Sequence, residues 1–227
     1  YSLGVPRADG YWGKCNPKEK KNYRTRCSAF IQSYIKNIII DTSPDIRQQL
    51  IKNNIKNIDC ALFSHKHGDQ IHGINDLRVF SLKSNKKIPI FADLKTGNYL
   101  KSNFAYCFNN VLGYNAILKL NPLRKNFSFK KNGKSISIRS VPVQHGRILS
   151  QSFIINKCCG YLSDANKIFN KDLKFFKNLK YLVIDCLRFN KHPSHFSLNE
   201  IIKINDLLKP KKTILTNMNN SMDYNSL

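Results

Sequence analysis

The chain is expected to be an α/β (α+β) protein built from two sheets with helices on their outer faces. Three observations predict this. Its 227 residues suffice for one large domain with a full core, or at most two small ones. Apolar runs of strand length fall into two groups, with helix-patterned stretches between them. Neither an internal repeat nor a low-complexity linker interrupts the pattern. Strands grouped in this way suit two sheets better than a single alternating parallel sheet.

The elements follow in order. Residues 2–26 read as an irregular loop punctuated by Leu3-Gly4-Val5-Pro6 and Asp9-Gly10-Tyr11-Trp12-Gly13, ending in a basic stretch at 18–26. Apolar runs at 28–35, 38–41 and 59–64 read as strands. Between the last two, Ser43-Pro44-Asp45 is a helix-start signal that opens a helix over 45–53. A short strand at 88–92 precedes a short helix at 94–101. Strand-like runs return at 135–142, 151–155, 161–163 and 181–185. Residues 198–208 have the apolar spacing of an amphipathic helix, and 213–216 form a last strand.

Composition narrows the setting. No apolar run is long enough to span a membrane. Seven scattered cysteines, an odd number without a CxxC pair, fit a reducing cytoplasm better than a disulfide framework. The chain begins at Tyr1, so a targeting segment ahead of it is not excluded. The net charge is +24, with lysines spread throughout a sequence rich in Lys, Asn, Ile and Phe. Compositional drift is the favoured reading of that charge and a dedicated nucleic-acid surface the second. Either way the field helps to steer an anionic substrate.

The segment carrying most chemistry is His65-Lys66-His67-Gly68-Asp69-Gln70-Ile71-His72-Gly73, which follows the apolar run Cys60-Ala61-Leu62-Phe63. Two histidines at i and i+2 and an aspartate at i+4, on a turn leaving a strand, can point into one space. Imidazole and carboxylate are ligands for zinc, manganese or iron. The six histidines form three groups, His65, His67 and His72, then His145, then His192 and His195, each at the edge of a predicted strand or in the loop after it. His67, His145, Asp164 and Asp185 each lie just past an apolar run. A rigid sheet edge is a sound place to preorganise a metal site. Asp41 and Asp45 have two readings, of which capping the following helix is favoured over supporting the metal loop. Asp185 either ends its strand or supports the site, and His192, before Pro193, shapes the loop that carries His195.

These residues resemble the metallo-β-lactamase fold, with His65-Lys66-His67-Gly68-Asp69-Gln70 similar to its HxHxDH signature. Further matches are Val143-Gln144-His145-Gly146, Gly160-Tyr161-Leu162-Ser163-Asp164-Ala165-Asn166 and His192-Pro193-Ser194-His195-Phe196. With Ser2-Leu3-Gly4-Val5-Pro6, Asp41-Thr42-Ser43-Pro44-Asp45 and Gly73-Ile74-Asn75-Asp76-Leu77-Arg78, they resemble the branch that contains phosphoribosyl 1,2-cyclic phosphate phosphodiesterases. The resemblance covers nearly the whole chain. It implies a four-layer αββα sandwich, a single metallo-hydrolase domain over 1–227 lacking terminal pieces, and a binuclear site. One metal (Zn or Mn) takes His65, His67 and His145, with Asp164 shared. The second takes Asp69, the residue after it and a late histidine. His195 is implied as a catalytic acid or phosphate contact.

The chain departs from this pattern twice. Gln70 stands where the second metal expects histidine, and so does Asn217, in Leu215-Thr216-Asn217-Met218. Carboxamides bind divalent transition metals poorly beside imidazole. One strongly bound ion is therefore expected, with the second weak or absent. The implied reaction is hydroxide attack on a small cyclic phosphate, with Asp69 orienting the nucleophile or taking its proton, His195 protonating the leaving oxygen and Arg78 among several basic candidates for binding phosphate. A ribonuclease trimming RNA 3′ ends and a catalytically silent metal- or nucleotide-binding module are the alternatives. The implied partner is a small phosphate ester, with RNA as the less favoured alternative and no membrane; a homodimer is one open arrangement, as many relatives pair.

Overall fold

A computed structural model describes residues 1–111 and 113–227. The backbone divides into two compact units. The first comprises Ser28–Arg124 and Phe129–Ile136; the second comprises Tyr1–Cys27, Lys125–Ser128 and Ser137–Leu227. Among the described residues no helix is long and apolar enough to cross a membrane.

The first unit holds a five-stranded sheet of β1 (Ala29–Ile31), β2 (Ile38–Ile40), β3 (Cys60–Leu62), β4 (Ile88–Ala92) and β5 (Leu118–Pro122), in that spatial order. β1 and β2 are antiparallel and the remaining pairs parallel. Parallel neighbours need crossovers, and helices supply them. α1 (Ile46–Lys52) joins β2 to β3, α2 (Gly68–Ile71) and α3 (Arg78–Ser84) join β3 to β4, and α4 (Leu94–Asn103) and α5 (Ala105–Phe108) join β4 to β5. β2 and β3 are buried along their whole length, which is why Ile38-Ile39-Ile40 and Cys60-Ala61-Leu62 are continuous apolar runs without alternation. Ile39, Ala61, Phe63 and Ile90 of the sheet region pack with Ile46, Ile71, Ile74, Leu77 and Leu100 of the helical segments.

One close approach in this unit ties the loop after β2 to the turn after α2. The Gly73 amide donates to the Thr42 carbonyl at 2.9 Å, and a Cβ at Gly73 would sit 2.1 Å from the Ser43 carbonyl oxygen and 2.5 Å from Ile46 Cγ2. The first of these obstacles is backbone, so it cannot swing away. Gly73→Ala is expected to cost about 1–3 kcal/mol, in the range of other overpacking substitutions. Thermal melts would show it as a Tm lower by several degrees.

The second sheet has six strands in the order β11-β10-β9-β8-β7-β6. These are β6 (Asn126–Lys131), β7 (Lys134–His145), β8 (Ile148–Ile155), β9 (Cys159–Leu162), β10 (Tyr181–Asp185) and β11 (Lys212–Thr216). The tip of the β6–β7 hairpin, Phe129–Ile136, belongs to the first unit. β7–β8 and β8–β9 are antiparallel, while β9, β10 and β11 run parallel. A 3₁₀ segment, Asn170–Phe175, precedes β10, and α6 (Leu198–Leu208) joins β10 to β11. α6 begins with a capping box between Ser197 and Glu200. Its core gathers Val141, Val143, Leu162, Leu182 and Ile184 from strands with Phe176, Phe196, Ile201 and Leu208. Since β7 and β9 are both antiparallel to β8, the ends of β7, β9, β10 and β11 emerge at one edge of this sheet.

The expected fold class is present: two mixed sheets with flanking helices. The helices at 45–53 and 198–208 and the strands at 38–41, 59–64, 88–92, 181–185 and 213–216 form within a residue or two of their expected bounds. The strand expected over 28–35 shrinks to Ala29–Ile31. β5, β6, α2, α3 and α5 were not expected. β5 and β6 are edge strands with mostly partly buried or exposed residues, so neither needs a strong apolar signature.

Candidate metal centre

In the second unit the shared sheet edge assembles a cluster. His145 ends β7 and is 4% exposed, and Asp164, just past β9, is 2% exposed. His195 lies in the loop before α6. One ligand atom from each of these three residues lies within 4.8 Å of the others. The His145 Nδ1 is 2.7 Å from the Ser194 carbonyl oxygen. A carbonyl only accepts, so Nδ1 carries the proton and Nε2 keeps its lone pair for a metal. Gly146 makes that contact possible. It has a φ of +57°, and a Cβ there would meet Ser194 Cβ at 2.9 Å.

Asp185, fully buried at the end of β10, accepts through Oδ2 from the Ala165 amide at 2.9 Å and pairs with His195 Nδ1 at 2.7 Å. Burial pushes the Asp185 carboxyl up to about 7, against the opposing pull of His195. Burial also works against charge on His195, but the hydrogen bond and charge of Asp185 outweigh it and raise the imidazole pKa. The pair holds a proton on Nδ1 and aims Nε2 away from Asp185. The His195 loop is pinned by Phe196 N donating to Ala165 O at 2.7 Å and by Leu187 N donating to Phe196 O at 3.0 Å. His192 Nδ1 sits 3.2 Å from Ser194 Oγ, so it shapes this loop as expected, and burial is the main cause lowering its pKa.

In the first unit, β3 delivers the histidine motif. His65 is 1% exposed, His67 is exposed, and their ring centroids are 4.5 Å apart. Ser64 Oγ is 3.0 Å from His65 Nδ1. Asp41, in a left-handed conformation at φ +60°, accepts from the Ser64 amide at 2.7 Å. This corrects the favoured reading of Asp41 as a helix cap, because its carboxylate holds the residue before His65. Asp45 does occupy the N-cap position of α1, but its side chain makes no capping bond. The Asp41 contact was hard to read from sequence, because it links residues 23 positions apart.

The remaining residues fall as follows. Asp69 lies in the first turn of α2, where the Gln70 Nε2 is 3.4 Å from its Oδ2. Asn217 follows β11 with a φ of +64°, and its Nδ2 donates to Ser163 O at 2.9 Å and Asp164 Oδ1 at 3.1 Å. Arg78 opens α3, with its guanidinium 5.9 Å from the Tyr114 ring, and lines a cleft of about 570 Å³ with Lys86, Lys87 and Tyr114. Neither His65 nor His67 lines that cleft among the described residues.

His145 and Asp164 offer a divalent metal an oriented imidazole and a carboxylate, and His195 lies beside them with its Nδ1 on Asp185. His65 and His67 form a second imidazole pair. Gln70 and Asn217 do not fit as metal ligands, since each points a carboxamide N–H at a neighbouring carboxylate.

Comparison with known proteins agrees with this chemistry. A PhnP-family protein, described as a new diphosphatase, is 28% identical with a TM-score of 0.86, covering 97% of this chain and 84% of that one. The short form of human tRNase Z is 15% identical with a TM-score of 0.70, covering 99% of this chain and 92% of that one, and shares the fold. The octanoyltransferase of Porphyromonas gingivalis is 28% identical over 204 residues, which make up 88% of this chain. The chain spans only 40% of the length of that curated relative. The family description "Beta-lactamase superfamily domain" matches residues 36–218, from just before β2 to just after β11. The chain belongs to the β-lactamase superfamily.

Proposed function

We propose that the chain is a metal-dependent phosphodiesterase that opens a small cyclic phosphate. The observation that carries this reading is the likeness to the PhnP-family diphosphatase over 97% of the chain. The cyclic phosphate is what the motif resemblance to phosphoribosyl 1,2-cyclic phosphate phosphodiesterases implies. The proposed ligands are His65, His67, His145 and Asp164, for one strongly held Zn or Mn ion. That metal, when bound, supplies Lewis-acid charge for the phosphoryl oxygens and for activating water. His195 protonates the leaving oxygen from Nε2, and Asp185 holds the imidazole in position. Asp69 orients the attacking water and accepts its proton.

The diphosphatase relative favours one second reading, cleavage of a phosphoanhydride by the same residues. RNA 3′ processing draws only on a shared fold at 15% identity. Octanoyl transfer through a cysteine is disfavoured. Burial pushes Cys27, Cys60 and Cys186 up to about 12, far from the thiolate such chemistry needs, and the chain spans only 40% of that relative's length.

Manganese-loaded protein is expected to hydrolyse bis(p-nitrophenyl) phosphate and a ribose cyclic phosphate. His145→Ala is expected to lose bound metal and to lower both rates by at least about 100-fold, in line with removal of a metal-centred contribution. Folded, metal-loaded wild-type protein that does no better than the variant on either substrate would overturn the proposal in favour of a binding module. Hydrolysis of a diphosphate alone would select the second reading.

A further inference from the structure

A cleft of about 400 Å³ opens in the second unit, near the far end of β7 from His145. Seven residues of extended strand, roughly 23 Å, separate Ile138 in its wall from His145. Its apolar part includes Ile138, Ile154 and Leu179, all buried. Its rim carries Arg139, Lys157, Lys174 and Lys177, and no aspartate or glutamate lines it among the described residues.

Arg139 is the unusual member. Val141 and Val143 of β7 face the buried core, and strand alternation puts Arg139 on that same face. A guanidinium thus stands where the apolar row would continue. It lies 4.0 Å from the centroid of the Phe175 ring, with Lys174 Nζ 5.4 Å from the same ring. No carboxylate pairs with Arg139 among the described residues. A planar guanidinium beside an aromatic ring is a surface on which a nucleobase stacks. Ammonium groups act as point charges for phosphate. Lys157 is set at the rim by the tight turn between β8 and β9, where Asn156 and Lys157 have φ of +50° and +51°.

The geometry points to a nucleoside-triphosphate site at this cleft, separate from the metal centre. The base stacks at Arg139 and Phe175, and the phosphates meet Lys157, Lys174 and Lys177. A volume near 400 Å³ lies within the span of small-molecule sites, about 300–1,000 Å³. The three rim lysines suit a polyphosphate chain, whereas an uncharged nucleoside would leave them unused.

Calorimetric titration of ATP into EDTA-treated protein, shown by circular dichroism to be folded, tests this with the metal centre silenced. ATP is expected to bind at least tenfold more tightly than inorganic tripolyphosphate or adenosine. Lys174→Glu with Lys177→Glu is expected to weaken ATP at least tenfold. Lys18→Glu with Lys203→Glu, two exposed lysines outside the cleft with the same charge change, is expected to weaken it no more than threefold. Arg139→Lys keeps the charge but not the stacking surface, and is expected to reduce ATP affinity toward that of tripolyphosphate. Equal binding of ATP and tripolyphosphate, or equal losses in the two charge-matched pairs, would overturn the proposal and leave only the field of a +24 chain.

Discussion

Replacing Gln70 and Asn217 together with histidine is expected to raise bound Mn or Zn from one equivalent per chain to two, and to raise phosphodiester hydrolysis with it. The resemblance assigns both positions to the same second metal, and both now carry carboxamides. Their present contacts explain why the change is more than the loss of two ligands. Asn217 Nδ2 donates to Asp164 Oδ1, and Gln70 Nε2 approaches Asp69 Oδ2. The two carboxylates that a second ion would draw on are thus already facing N–H groups. Asn217→His is backbone-compatible, since histidine is among the residues enriched at positive φ. Two-metal sites hold the attacking and leaving oxygens between them, so a restored ion should act on rate as well as on stoichiometry. Elemental analysis of dialysed protein reads the first effect without reference to activity. A double variant that still holds one equivalent and turns over no faster would show that the two substitutions did not disable a second site.

The residues of the centre were legible in sequence because they sit where apolar runs stop. Cys60-Ala61-Leu62-Phe63 before His65, Tyr161-Leu162 before Asp164 and Tyr181–Asp185 are strand segments whose buried ends present polar groups at a sheet edge. The supporting contacts were not legible, because they depend on distance in space. Asp41 reaches Ser64 only because β2 and β3 are parallel neighbours, with Ile40 level with Leu62. The Ser194 carbonyl reaches His145 only because of the left-handed turn at Gly146. Asp185 had two equal readings until its bond to His195 chose one. The edge strands β5 and β6 escaped notice for a different reason: paired on one side and half-exposed, they tolerate Asn121, Pro122 and a run of lysines that a central strand would not.

Asp185→Asn is expected to split substrates by how much their leaving group needs a proton. The carboxylate holds His195 Nδ1 at 2.7 Å and the Ala165 amide at 2.9 Å, both through Oδ2, and Oδ1 is buried with no hydrogen-bond partner among the described residues. An asparagine can keep its oxygen on Ala165 and His195 only by placing its NH₂ group where Oδ1 now lies. Burying that donor unpaired would cost about 1–3 kcal/mol of stability. With the amide turned the other way, its N–H faces the proton on Nδ1. In either arrangement the negative charge that favours a protonated imidazole is gone. General acid catalysis is worth about 10²–10⁴-fold. A ribose cyclic phosphate, whose leaving oxygen is a poor anion, should therefore lose about 100-fold or more in kcat. Bis(p-nitrophenyl) phosphate releases a stable anion and should lose tenfold at most. Bound metal should be unchanged. An equal loss on both substrates, accompanied by loss of metal, would mean that Asp185 supports the fold of the centre and that His195 does not deliver the proton.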